Sequence, residues 1–106
     1  MFKSKITGLG FYVPENIVSN DDLSKLMETS DDWISERTGI KNRRWVGDKK
    51  LTTSLMGTYA AEKAIAAAGI DKNDIDFIIF STLSPDYYFP GSGVLLQRNL
   101  GIKEIG

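Results

Sequence analysis

The residue types best suited to chemistry are concentrated in one stretch, Thr29 to Trp45, TSDDWISERTGIKNRRW. Trp33 and Arg37 are four positions apart, so on a helix they share one face, a turn apart. A flat indole beside a guanidinium suits a planar base that carries phosphates: the ring stacks and the cation takes the anion. Lys41, Arg43 and Arg44 follow closely and add positive charge. The competing reading makes Trp33 a core anchor and the cations a solvated face, the commoner use of such residues. Asp31 and Asp32 are a weaker candidate, because adjacent helical positions do not face each other and capping accounts for acids at a helix start. The run Asp71, Lys72, Asn73, Asp74 has the outline of a calcium loop without its glycine or closing glutamate. It reads as a turn, and no metal site is expected.

A second concentration is the loop Leu83 to Gly91, LSPDYYFPG, with three aromatics in succession, Tyr87, Tyr88 and Phe89. It leaves the carboxyl end of an expected buried strand, the place where open α/β sheets put their sites. Three uses are open: a pocket wall, an oligomer contact, or a local cap on the core.

Composition narrows the chemistry. The 106 residues are 42% hydrophobic and 25% charged, which fits one globular domain or a piece of one. There is no cysteine and no histidine. Thiolate nucleophiles, disulfides, Cys/His zinc sites and histidine acid–base catalysis are therefore excluded from this chain. A formal charge of −1 argues against a dedicated nucleic-acid binder, and no apolar run reaches the length of a membrane span. The apolar part of Met1 to Val13 is short and broken by Gly8 and Gly10, so no signal peptide is expected and a cytoplasmic location is.

The elements that must position these residues follow from pattern. Lys5 to Val13 reads as a strand whose two glycines call for close approach of another backbone or a ligand. Pro14 to Asn16 reads as a turn, and Ser19 with Asp22 as a capping box that opens a helix to about Met27. Thr29 repeats the device with Asp32, and the helix carrying Trp33 and Arg37 stops at Gly39, the preferred left-handed residue. Ile40 to Val46 is expected to be extended. Thr52 or Thr53 caps the longest helix, about Ser54 to Ala68, with an apolar stripe through Met56, Tyr59, Ala60, Ala64 and Ala67. Its six alanines (60, 61, 64, 66, 67, 68) predict a central helix in close contact with its neighbours. Phe77 to Phe80 reads as a strand buried on both faces, and a helix runs from about Ser92 to Asn99, ended by Gly101. Helix, buried strand, loop and helix make an α/β unit with a layered sheet, and one such strand does not close it. The chain reads as truncated.

In this order, ITGLGFYVP, SDDWISERTGIKNRRW, the alanine-rich helix, IDFIIFSTLSPDYYFPGSG and LQRNLGI closely resemble β-ketoacyl-acyl-carrier-protein synthase III. The resemblance runs from about Lys5 to Ile102, and its most specific element is D-W-I-x-x-R-T-G-I at Asp32 to Ile40. It implies an α/β chain, 1–106, forming an incomplete N-terminal half of a thiolase-like layered α/β/α fold, truncated before the catalytic cysteine segment. It further implies an acyltransferase that condenses acyl-CoA with malonyl-acyl-carrier-protein to initiate fatty-acid synthesis. Coenzyme A would enter as the thioester substrate, with no cofactor bound covalently. Carried over by motif, Trp33 stacks on the adenine, Arg37 and Thr38 contact the same nucleotide, and Phe89 reaches across a homodimer interface into the partner's acyl pocket. The family's catalytic cysteine, histidine and asparagine have no counterpart here, so the chain alone is expected to be inactive. Two further readings stand beside this one. The first is a non-catalytic half-domain that binds coenzyme A or a partner; the second is a related acyl-CoA condensing enzyme of secondary metabolism. The cations Lys41, Arg43, Arg44, Lys49 and Lys50 either dock an acidic carrier protein or form a solvated face.

Overall fold

The computed structural model describes residues 2–103. The chain divides into two compact units. One is Val13–Lys49; the other combines Met1–Tyr12 with Lys50–Gly106.

The smaller unit begins with strand β1 (Asn16–Ser19), which passes directly into the short helix α1 (Asn20–Ser24). The expected capping box is present: Ser19 Oγ accepts from the Asp22 N–H at 3.1 Å, and Asp22 Oδ2 accepts from the Ser19 N–H at 2.9 Å. The helix ends at Ser24, not near Met27, and turn-type hydrogen bonds carry the chain on to Met27. Helix α2 (Asp31–Thr38) follows, then β2 (Asn42–Trp45), which pairs antiparallel with β1 and sets Val18 opposite Arg43. Asn16 was expected in a turn and instead opens β1, because it gains a ladder partner in Trp45. The start of α2 also differs by one residue. Ser30, not Thr29, is the cap, its Oγ accepting from the Trp33 N–H at 3.1 Å. Both are capping residue types, so spacing alone did not choose between them. At the other end Gly39 adopts φ 71°, the left-handed stop read from the sequence.

The larger unit is built on α3 (Thr53–Ala68), with a 3₁₀ turn at Lys72–Asp74 and a final helix α4 (Ser92–Leu100). Thr52 caps α3 through the Leu55 N–H, and Gly69 and Gly101 end α3 and α4 in the left-handed region. Asp71 and Asp74 form a capping box around the 3₁₀ turn, so these acids serve a turn as expected. Leu96, Leu100 and Ile102 form the core, with Ala61, Ile65, Ile75, Ile78 and Phe80 packed against them. The most buried residues of α3 are Ser54 and Thr58, each 3% exposed, whereas Ala67 of the predicted stripe is exposed. Hydroxyls can sit there because the helix satisfies them: Thr58 Oγ1 donates to the Ser54 carbonyl at 2.8 Å and accepts from Asn99 Nδ2 of α4 at 3.2 Å.

Two predicted strands take a different form. Residues 5–13 and Phe77 to Phe80 form no ladder, and β1–β2 is the only sheet among the described residues. Side chains still alternate along Phe77 to Phe80. Ile78 and Phe80 pack on the core, while Phe77 (67%) and Ile79 (87%) are exposed. Among the described residues the segment is thus covered on one face, and its backbone edges have no partner strand. Gly8 and Gly10 lie against α3. A Cβ on Gly10 would come within 2.5 Å of the Ala60 carbonyl oxygen and the Ala64 nitrogen. This is the close backbone approach that the two glycines and the alanine-rich helix predicted.

Candidate functional site

Helix α2 carries the Trp33–Arg37 pair. Ile34 is buried and seats the helix, while Trp33 is 52% exposed and so does not anchor the core of the described residues. The Arg37 guanidinium carbon lies 4.3 Å from the centroid of the indole ring. The pairing across one turn is therefore realised as a cation–π contact, of order 0.5–1 kcal/mol at an exposed position. An open recess of about 420 Å³ adjoins the indole, lined by Met27, Glu28, Thr29, Ser30 and Trp33. Arg37 does not line it.

Thr38 lies at the end of the same helix. Its hydroxyl donates to the Ile34 carbonyl at 2.7 Å and accepts from the Ile40 N–H at 3.0 Å. With its proton already committed, Thr38 offers a ligand an acceptor only. Its first task is to close the helix end beside Gly39.

The basic segment is mostly structural. Arg43 donates to the Val18 carbonyl at 3.1 Å and to Asn20 Oδ1 at 2.6 Å, Arg44 donates to the Pro14 carbonyl at 2.9 Å, and Lys41 Nζ donates to Ser35 Oγ at 2.9 Å. These three cations are therefore not a simple solvated face. Asp31 also does more than sit at a helix start. It accepts from Asn20 Nδ2 at 2.7 Å and Ser35 Oγ at 3.1 Å, and these hydrogen bonds hold its carboxyl below the usual pKa.

Phe89 belongs to the other unit. It is 91% exposed, its neighbours Tyr88 and Tyr87 are 97% and 64% exposed, and the Phe89–Pro90 peptide is cis. These side chains therefore do not cap the core of the described residues, and the pocket-wall and oligomer-contact readings stay open. What holds this loop was missed in the sequence: Asp86. Its carboxylate accepts from the Ser54 N–H at 2.8 Å, from Ser54 Oγ at 2.7 Å and from Ser92 Oγ at 2.9 Å. Thr53 Oγ1 adds a bond to the Ser84 carbonyl at 2.6 Å. The only hint in the sequence was an acid in a loop that runs into Ser92 at the start of α4.

No helix among the described residues is long and apolar enough to cross a membrane. No protein-family model matches the chain. Individual proteins do. The β-ketoacyl-[acyl-carrier-protein] synthase III of Chlamydia pneumoniae is 56% identical over 103 residues, 97% of this chain and 30% of the relative's length. The crystal structure of 3-oxoacyl-[acyl-carrier-protein] synthase III from Aquifex aeolicus superposes with a TM-score of 0.90 at 42% identity, over 95% of this chain and 32% of that one. The priming β-ketosynthase of the R1128 polyketide pathway gives 0.89 at 31% identity, over 96% and 30%. The chain spans about 30% of the length of the curated relatives it matches. In sequence and in fold it matches the N-terminal third of β-ketoacyl-acyl-carrier-protein synthase III, a partial thiolase-like α/β fold.

Proposed function

We propose that this chain supplies part of the acyl-CoA site and part of the dimer contact of a cytoplasmic synthase III that initiates fatty-acid synthesis. The complete enzyme would transfer an acyl group from coenzyme A to a cysteine outside these residues. The carbanion formed by decarboxylation of malonyl-acyl-carrier-protein would then attack that thioester carbonyl. Coenzyme A is a substrate in this reading, and no cofactor is bound covalently. With neither cysteine nor histidine, these 106 residues would contribute binding and not the condensation step.

The observation that carries the reading is the exposed Trp33 ring with Arg37 at 4.3 Å, opening on a base-sized recess. Trp33 would stack on the adenine, Arg37 would face the phosphates, and Thr38 would accept a hydrogen bond from the nucleotide. Phe89, projecting from its loop, would meet the partner's acyl pocket in a homodimer.

Arg37→Ala in the complete enzyme tests this. The KM for acyl-CoA should rise by roughly tenfold, the loss of one charge-assisted contact, with the fold intact. An unchanged KM sinks the assignment. A second reading, a condensing enzyme of secondary metabolism, has the likeness to the R1128 priming ketosynthase in its favour. Assaying a panel of acyl-CoA starters separates the two.

A further inference from the structure

Asn20 is only 1% exposed. Every polar group on it is engaged. Its Nδ2 donates to Asp31 Oδ1 at 2.7 Å and to the Ile40 carbonyl at 2.8 Å, with Ser35 Oγ a longer contact at 3.4 Å. Its Oδ1 accepts from the Arg43 guanidinium at 2.6 Å, and its backbone N–H donates to the Lys41 carbonyl at 3.2 Å. One amide thus joins α1 to the first turn of α2, to the chain just past the Gly39 stop, and to β2.

The placement of these contacts on the helix matters. Asp31 and Ser35 lie on one line, four residues apart, and Trp33 and Arg37 on another. At 3.6 residues per turn the two lines are about 200° apart. Asn20 therefore grips the face of α2 opposite the Trp33–Arg37 pair. It holds that helix at both ends, at Asp31 before the pair and at Ile40 beyond it. Rotation or axial slip of α2 would carry the indole and guanidinium away together, and both motions break part-buried hydrogen bonds to the buried Asn20 amide.

We propose that Asn20 is a positioning residue for the nucleotide site, setting the rotation and axial position of α2 and hence the aim of Trp33 and Arg37. This rests on the acyl-CoA reading of that pair. The role needs an amide specifically, because Asp31 and Ile40 require a donor and Arg43 requires an acceptor.

The test uses the complete enzyme and steady-state kinetics with acyl-CoA varied. Asn20→Asp keeps the acceptor for Arg43 but sets a carboxylate against Asp31. The donors to both Asp31 and the Ile40 carbonyl are lost, so the KM for acyl-CoA should rise roughly tenfold or more, the cost of about two hydrogen bonds, while kcat at saturating acyl-CoA stays within about twofold. Adding Asp31→Asn exchanges donor and acceptor across the 2.7 Å bond and should recover part of that loss, the Ile40 carbonyl still lacking its donor. A purely structural role would lower the melting temperature without this selective effect on KM or its recovery. An unchanged KM in Asn20→Asp, alongside a raised KM in Arg37→Ala, overturns the inference and leaves the site reading standing. Unchanged values in both remove the site reading, and the inference with it. Failure of the exchanged pair to recover also overturns it. Should Asn20→Asp not fold, Asp31→Ala alone removes the same bond, and a KM equal to wild type counts against the proposal.

Discussion

Asp86 accepts a hydrogen bond from the backbone N–H of Ser54 at 2.8 Å, and so a loop residue caps the first turn of α3 from 32 positions away. The same carboxylate takes the hydroxyls of Ser54 and of Ser92, the first residue of α4. It therefore ties the aromatic loop to the starts of both helices. Burial pushes the Asp86 carboxyl up, but the hydrogen bonds from Ser54, Thr52 and Ser92 outweigh it and hold the pKa at about 2, against an ordinary 3.8.

Because the folded-state value lies below the ordinary one, this carboxylate stabilises the fold at every pH above 3.8, and the contribution is lost as pH falls through about 2. Asp86→Asn should lower stability near neutral pH by on the order of 1 kcal/mol, after allowance for solvent screening. The gap between variant and wild type should close in strong acid. Denaturant titrations at a series of pH values check this; a gap that does not narrow below pH 3.8 would refute the assignment.

Gly10→Ala should be among the most damaging small substitutions. The added methyl would meet backbone atoms of Ala60 and Ala64 at 2.5 Å, and backbone on a packed helix cannot swing aside as a side chain can. Overpacking of this kind costs about 1–3 kcal/mol. A melting temperature within a degree of wild type would show that the segment can lift from α3.

Ser30→Ala removes the cap of α2 and should cost about 1 kcal/mol, whereas Thr29→Ala should cost much less. Comparing the two by thermal denaturation decides which residue begins the helix. Equal losses would contradict the Ser30 cap.

Phe89→Ala should leave protomer stability within about 0.5 kcal/mol, since the side chain is 91% exposed. In the complete protein it should shift the balance from dimer toward monomer, measured by sedimentation over a dilution series. An unchanged balance would end the dimer-contact reading of this loop.

Local chemistry was legible in the sequence wherever the deciding interactions span only a few residues. Ser19 with Asp22, Gly39, the Thr52–Thr53 pair and Gly101 mark helix ends because capping and left-handed stops act within a single turn. The nearness of Trp33 and Arg37 follows in the same way from helical periodicity. The glycines at 8 and 10 and the alanines of α3 announced a close contact because small residues have few other reasons to be so placed. The motif order was also sufficient to indicate the family that the comparisons then matched.

What tertiary structure alone decided lies in bonds between distant residues. Asn20 meets Arg43 across 23 positions and Asp86 meets Ser54 across 32, and no local pattern encodes either partner. The same holds for strands. Phe77 to Phe80 has the composition of a buried strand, but a ladder forms only with a neighbour, and the described residues provide none. Ser54 and Thr58 reached the core against their polarity because one hydroxyl found Asp86 and the other found the helix's own carbonyl. Propensity acts over a turn, whereas burial and polar satisfaction are settled only when remote segments meet.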